Sequence, residues 1–589
     1  MLTETLIKGI KIVFFLSFSN IVCAQDRHDN TWLLGTPGSD PASLIGGNFI
    51  HFDRGIPSIS YFSSNTDLWV PCVMSHENGE LLWYSNGCKV QNKTHQLMDN
   101  GDGINAGAIH NAYCINTGYP SGHSLLSIPF PGHDSLFYFF HMRISEDFIL
   151  IDLLNSIVDI SANNGLGKVI EKDKFMLNDS LVTSISAVKH GNGRDWWLIV
   201  GDQYNDDTYV YLIDTSGIRQ PPIIRHAAWF GSNAFPGFFC FSSDGRKLVR
   251  TTHGTPTIFR IYDFDRCTGL ISNPIDITIP DDEAYVSWAC FSPSSRYLYL
   301  TNKVTKLYQY DTWAPNISAS AQLIDVYDGF VGDFNTPTTL FTMTMGPDQR
   351  IYMSANNGVR YLHTIHNPDE YGQACNFRQH DFEMPALSLF FLPNIPNYRL
   401  YNWAGSSCDT LGVEPPFLAQ WRYENDSVNN PLSFVFSDVS YYEPVSWKWY
   451  FGDGDTSNLP DPLHVYSAPG KYEVCLETCN EKEICDTLCR TIEVKVLDAT
   501  IPSSSQPPKN KVYLWPNPAT QHLWASQNGL KSSELTLYNL TGHAVFQATF
   551  KESESISEFE LPKLSSGMYF CLIRSKGSLV DIQKLVIQY

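Results

Sequence analysis

Ser242–His253 reads SSDGRKLVRTTH, and Ser292–Lys303 reads SPSSRYLYLTNK. Each is a polar turn followed by a short strand of alternating apolar residues. The unit recurs in His76–Gly87 (HENGELLWYSNG), Pro131–Met142 (PGHDSLFYFFHM), Gly191–Asp202 (GNGRDWWLIVGD) and Gly346–Asn357 (GPDQRIYMSANN). Its first strand residues are Leu81, Leu136, Trp196, Leu248, Leu298 and Ile351, at intervals of 55, 60, 52, 50 and 53. A period near fifty built from short strands means propeller blades rather than a helical solenoid. With one more blade closed by the segments around Phe49–Phe62 and Phe390–Leu400, the count is about seven, with six and eight open.

The rest of the chain agrees with an all-β fold. Tyr, Phe, Trp, Val, Thr and Ser recur in short runs between Gly, Pro, Asn and Asp clusters, and no long stretch has helical periodicity. The net charge of −21 argues against nucleic acid, which requires a concentrated Lys/Arg surface. It also suits an anionic membrane poorly.

Residues 1–24 read as an export signal: Lys8 and Lys11, the apolar run Ile12–Val22, then Val22 and Ala24 before a cut at Gln25. The run is too short to span a bilayer, so no transmembrane anchor is expected. A lipoprotein reading through Cys23 is the alternative. Past the cut the cysteines enter an oxidising compartment.

Two glycine-rich acidic stretches raise the question of a metal or acid–base site. In WKWYFGDGDTSN, Trp447–Asn458, Trp449 and Phe451 alternate toward one face, Gly452 and Gly454 permit turn geometry, and Asp453 can accept backbone hydrogen bonds. Too few oxygen ligands stand nearby for calcium, and the reading is a turn. MDNGDGINAG, Met98–Gly107, lacks the spacing of a calcium loop and is GxGxxxG, not GxGxxG; it is expected to be a loop connecting blades, with calcium left open. Cys475, Cys479, Cys485 and Cys489 flank NEKEI. In an antiparallel hairpin, opposed residues share one index sum, as 475 with 489 and 479 with 485 do. Nested disulfides Cys475–Cys489 and Cys479–Cys485 are expected; the competing reading is a four-thiolate zinc site. Cys240 and Cys290 are expected to be buried and unpaired.

Several segments resemble known families. From Trp32 to Thr410, the succession ELLWYSNGCKVQNKTHQLMDNGDGIN, AVKHGNGRDWWLIV, IYDFDRCTG, FSPSSRYLYL and PNIPNYRL is similar to large secreted Bacteroidota proteins with a propeller-like N-terminal domain and no firmly assigned activity. Trp449-Tyr450-Phe451-Gly452-Asp453-Gly454, His464-Val465-Tyr466 and Pro469-Gly470-Lys471-Tyr472 resemble the polycystic kidney disease (PKD) domain, which implies an immunoglobulin-like β-sandwich. After the Pro/Ser linker, Pro516-Asn517-Pro518, the turn at Gly542, the segment through Gly567 and Tyr569, and terminal Lys584 resemble the C-terminal sorting domain of type IX secretion cargo. That resemblance implies a small β-sandwich engaging the type IX secretion machinery, export through the periplasm, and release or attachment at the outer-membrane surface. The expected domains are 26–405 (propeller), 415–497 (PKD), 498–510 (linker) and 511–589 (sorting domain).

No enzyme motif stands out. HExxH, GxSxG and GxxxxGK[ST] are absent, and His363 and His366 are expected on opposite faces of a strand. SHENGELLW, from Ser75, is one imperfect sialidase-type Asp box, with Glu77 for Asp and Trp83 one residue late. No catalytic residue, cofactor or metal is assigned. The sequence points to a secreted, non-catalytic binding or adhesion protein whose propeller takes a glycan or protein ligand. The alternative is a propeller-type glycan hydrolase or lyase with funnel carboxylates about 5–9.5 Å apart. A funnel plugged by Tyr, Phe and Leu would favour binding at the rim.

Overall fold

A computed structural model describes residues 27–52, 57–115, 117–204, 207–226, 235–253, 258–280, 286–413, 417–425, 431–441, 444–494, 512–515, 522–527, 533–539, 543–550, 556–564, 567–575 and 578–587. The expected signal peptide and Pro/Ser linker lie outside these residues. The chain divides into two compact units, 1–422 with 438–446 and 477–488, and 423–437 with 447–476 and 489–589.

The first unit is a β-propeller. Successive antiparallel meanders are Thr31–Asp40/Ile45–His51/Ser58–Phe62, Cys72–Ser75/Leu81–Ser85/Lys89–Asn92/Leu97–Asp102 and Leu125–Pro129/Leu136–Ile144/Leu150–Asp159. The last of these pairs with the long strand Lys168–Lys189 as far as Leu181, beyond which the same strand pairs with Trp196–Asp202 and starts the next meander. Three four-stranded sheets follow, starting at Phe235–Phe241, Val286–Phe291 and Met343–Met345. The starting strands lie side by side around an axis, and the outer strand Phe377–Ser388 packs on Thr31–Asp40 and Ile45–His51 to close the ring.

The repeated turn has one local cause. In each repeat, a backbone N–H at the turn's start reaches the carbonyl just where the next strand begins: His76 to Glu80, Phe130 to Leu136, His190 to Asp195, Ser242 to Lys247, Ser292 to Tyr297 and Gly346 to Arg350, at 2.7–3.0 Å. Ser242 Oγ and Ser292 Oγ each accept the returning N–H as well, from Lys247 at 2.9 Å and Tyr297 at 3.1 Å. Neighbouring turns interlock, with Ser243 Oγ donating to the Ser292 carbonyl and the Asp244 N–H donating to Ser295 Oγ. The strand residues that follow, Trp196, Leu248, Leu298 and Ile351, are buried between sheets, while Leu136 is half-buried.

Met98–Gly107 departs from the loop expectation. Its first half belongs to the strand Leu97–Asp102, and the loop begins only at Gly103. There Asn105 is fully buried, the Asp173 carboxylate accepts the N–H groups of Asn105 and Ala106 at 3.2 Å, and Asn105 Oδ1 meets His141 Nδ1 at 2.7 Å. Cys88–Cys114 and Cys267–Cys408 are disulfides, and Cys240 and Cys290 are unpaired.

In the second unit, Phe434, Phe436, Trp449, Phe451, Tyr466, Val474, Leu476, Ile492 and Val494 are buried in the region of the expected sandwich. The C-terminal region stacks a three-stranded sheet (Val512–Trp515, His522–Gln527, Ile556–Glu560) on a four-stranded one (Ser533–Tyr538, Ala544–Thr549, Gly567–Ser575, Ser578–Ile587). Leu523, Leu535, Leu537, Phe559, Tyr569, Ile573, Leu585 and Ile587 fill the core between them.

Ring closure gives a direct test. The fully buried Asn48 amide donates to the Ala386 carbonyl at 2.9 Å and accepts the Ala386 N–H at 2.8 Å. Asn48→Leu strands both backbone groups, so unfolding in urea should require about 2 kcal/mol less. An unchanged urea midpoint would show that Asn48 does not hold the ring closed.

Candidate functional site

After the last blade strand the chain turns back across the axis. Phe390–Tyr401 (FFLPNIPNYRLY) holds two prolines and so cannot lie in the middle of a sheet. Its side chains bond instead to backbone groups left over on the ring's inner strands and turns. Asn394 Nδ2 donates to the carbonyls of Ile185 at 2.9 Å and His123 at 3.3 Å. Asn397 Nδ2 donates to the Ser243 carbonyl at 2.8 Å, and the Tyr398 hydroxyl to the Ser127 carbonyl at 2.7 Å. Thr342 Oγ1 and Ser354 Oγ donate to the Phe390 carbonyl, and Thr344 Oγ1 to that of Pro393. Leu392 and Tyr398 are buried, and Phe391 packs near His123 and Phe341.

Beside this segment lies a cavity of about 930 Å³, walled by Phe238, Trp288, Met343 and Met345 from the inner strands and by Pro393–Asn397. Three of the carboxylates lining it are engaged. Asp29 is ion-paired with Arg399 in a buried contact, and Arg399 Nη2 also donates to Asn30 Oδ1 at 2.7 Å. Asp244 accepts from Ser242 Oγ at 2.5 Å and the Arg246 N–H at 3.0 Å. Asp409 accepts from Asn402 Nδ2 at 2.9 Å and the Gly405 N–H at 3.2 Å.

On the outside, Trp313 is 62% exposed and Tyr371 53%. Arg296, whose guanidinium lies 5.4 Å from the Trp313 ring and 5.0 Å from Tyr297, is held there by Asp311 at 2.8 Å. The Tyr297 and Tyr371 rings are 6.2 Å apart. These residues come from separate turns and loops, so no local motif announces the platform.

The PKD turn is built around an imidazole. Gly452, at φ +84°, and Gly454, at φ +106°, occupy conformations open to glycine, and a Cβ on Gly452 would lie 2.7 Å from the Glu473 carbonyl oxygen. Asp453 Oδ1 accepts the Asp455 N–H at 3.1 Å, and Asp453 Oδ2 meets His464 Nε2 at 2.8 Å. His464 is stacked on Phe451 at 4.0 Å, and Phe451 sits 5.2 Å from Phe436 and 6.4 Å from Trp449. Desolvation raises the Asp453 pKa, but the His464 and Asp455 hydrogen bonds outweigh it and hold the group below its ordinary value. Donor atoms of Asp453, Asp455 and His464 fall within 4.8 Å of one another, but an imidazole and two carboxylates are not calcium's all-oxygen set. The His464–Asp453 bond was absent from the sequence reading, in which His464 was only a signature residue. Cys475 is disulfide-bonded to Cys489, and Cys479 to Cys485.

His363 and His366 do not converge: His363 Nε2 faces the Thr339 carbonyl at 3.3 Å, and His366 Nε2 faces Asp381 at 2.7 Å. Among the residues expected to form the sorting signal, Gly567 opens its strand and Tyr569, buried, pairs with Leu585. Lys584 pairs with Phe570, and Pro516, Asn517, Pro518 and Gly542 lie outside the described residues.

Residues 513–588 match the family described as a secretion system C-terminal sorting domain. The chain ends in a type IX sorting domain. That domain implies the type IX secretion machinery as partner, with secretion and placement at the cell surface. Residues 419–496 match the PKD domain. Among the described residues no helix is long and apolar enough to cross a membrane. The first PKD domain of the Vibrio cholerae metalloprotease PrtV is 31% identical, over 13% of this chain and 95% of that one, with a TM-score of 0.12. A putative 6-phosphogluconolactonase from Bacteroides uniformis is 10% identical over 62% of this chain and 98% of its own, with a TM-score of 0.37. A periplasmic gluconolactonase from Pseudomonas aeruginosa is 11% identical over 62% and 98%, with a TM-score of 0.34.

Two tests concern the axis. Arg399→Met leaves the buried Asp29 carboxylate without its cation, which should cost about 3 kcal/mol in urea unfolding; a loss below about 1 kcal/mol, the range of an exposed pair, would refute a buried pairing. The second concerns pH. Burial pushes His123 down to about 3 and His141 and His363 to about 4, from an ordinary 6.5. Below pH 6.5 the unfolded chain takes up protons that these folded imidazoles refuse. Their neutral burial is therefore fully tolerated above that pH, and stability falls as pH drops toward 4. Melting temperature should decline over this window, less steeply in His123→Phe; an equally steep decline in the variant would contradict the burial of a neutral His123.

Proposed function

We propose that this is a surface binding protein that holds its ligand without converting it, with the propeller as the platform and the PKD domain as spacer or secondary contact. The observation that carries this reading is Phe390–Tyr401 running across the axis, where a propeller hydrolase would place its substrate. The engagement of Asp244 and Asp409 supports it, since a carboxylate pair working on a glycosidic bond must be free to reach it. We read the ring as seven blades, Lys168–Lys189 serving two of them, and the domain limits as 26–405, 415–497 and 511–589.

The ligand contact we assign to the rim, at Trp313, Tyr371 and Arg296. Exposed rings flanking a guanidinium suit a sugar face or an acidic saccharide, through stacking and charge-assisted hydrogen bonds. The test is a glycan array probed with the purified chain, with mass spectrometry of every bound glycan afterwards. Intact glycans are expected, with affinity lowered about tenfold or more in Trp313→Ala. Shortened or unsaturated products would replace this reading with that of a hydrolase or lyase.

A further inference from the structure

Two buried acceptor atoms on residues lining the axial cavity, His123 Nε2 and Asp29 Oδ1, form no hydrogen bond. Both residues line the cavity, and each is only 6% exposed. The Leu392 backbone and the Asn394 amide approach the imidazole, yet Nε2 itself forms no bond. Buried polar groups ordinarily find partners, so two acceptors facing one space suit a ligand that donates.

One part of the wall, beside His123, is apolar and polarisable. Phe238 and Trp288 lie with ring centroids 3.8 Å apart, His123 stands edge-on to Trp288 at 4.2 Å, and Met343, Met345, Cys240 and Cys290 also line the cavity. The indole N–H of Trp288 is committed to the Met343 carbonyl at 2.8 Å, so the tryptophan offers only its carbon surface. An apolar wall holds water poorly, whereas a thioether-rich aromatic surface accommodates organic ligands of varied shape. The volume falls in the range of small-molecule pockets, about 300–1,000 Å³. Ser294 lines the cavity while exposed to solvent, and Asp244 beside it is half-exposed, which provides a route in between the repeated turns.

We propose that the axial cavity binds a small, largely apolar organic molecule bearing one hydroxyl or amine donor, its body against Phe238, Trp288 and Met343 and its polar hydrogen on His123 Nε2 or Asp29 Oδ1. Burial keeps the imidazole neutral, so it can accept that hydrogen. Glycan binding at Trp313 and ligand binding in the cavity are separate events, and either reading can fail alone.

The probe is N-phenyl-1-naphthylamine, an apolar fluorophore with one amine N–H, titrated into the full chain. Saturable, blue-shifted emission at one site per chain is expected. Ser186→Phe, which places a ring on the cavity wall, should abolish it, and His123→Phe should weaken it about fivefold through the lost hydrogen bond. Should Ser186→Phe lose its cooperative thermal transition, His123→Phe carries the test, since a phenyl ring replaces imidazole against Trp288. Emission that rises without saturating, or saturates equally in the folded variants, overturns the proposal.

Discussion

A ring of sheets has an interior problem: the inner strands leave backbone groups on an axis where no further strand can pair with them. Buried amides and carbonyls must find partners. Here the partners are side chains of one returning segment. Asn394 bonds the carbonyls of Ile185 and His123, Asn397 bonds that of Ser243, and Tyr398 bonds that of Ser127. Arg399 meets Asp29 from the first residues of the ring. The last stretch of the propeller thus ties together strands from around its circumference, and Asn48 does the same at the seam between first and last sheets.

That solution shapes what the molecule can do. A segment bonded across the axis divides the interior into a packed part and a residual cavity. The PKD turn follows the same logic on a smaller scale. Asp453, which in isolation suggests a metal loop, spends its oxygens on the Asp455 N–H and on His464, whose ring is stacked on Phe451.

Features set by neighbours in the chain were readable without coordinates. The repeated turns close within four to six residues through a backbone bond, so their composition recurs wherever the geometry does. The hairpin cysteines obey the register arithmetic of antiparallel strands, and Cys475 and Cys479 meet the partners that arithmetic names. The half of Met98–Gly107 that forms a strand was missed because Asn, Gly and Asp are poor strand residues, overridden there by pairing with Lys89–Asn92.

By itself, then, the sequence determined the all-β class, the period of the propeller, the PKD turn and the export tail, because each rests on residues close together in the chain. Tertiary structure alone decided where the returning segment lies, which disulfide closes 141 residues between Cys267 and Cys408, and which aromatics gather at Arg296. Those outcomes depend on contacts between residues up to 370 positions apart, as between Arg399 and Asp29, and no local pattern encodes such a pairing until the ring has closed.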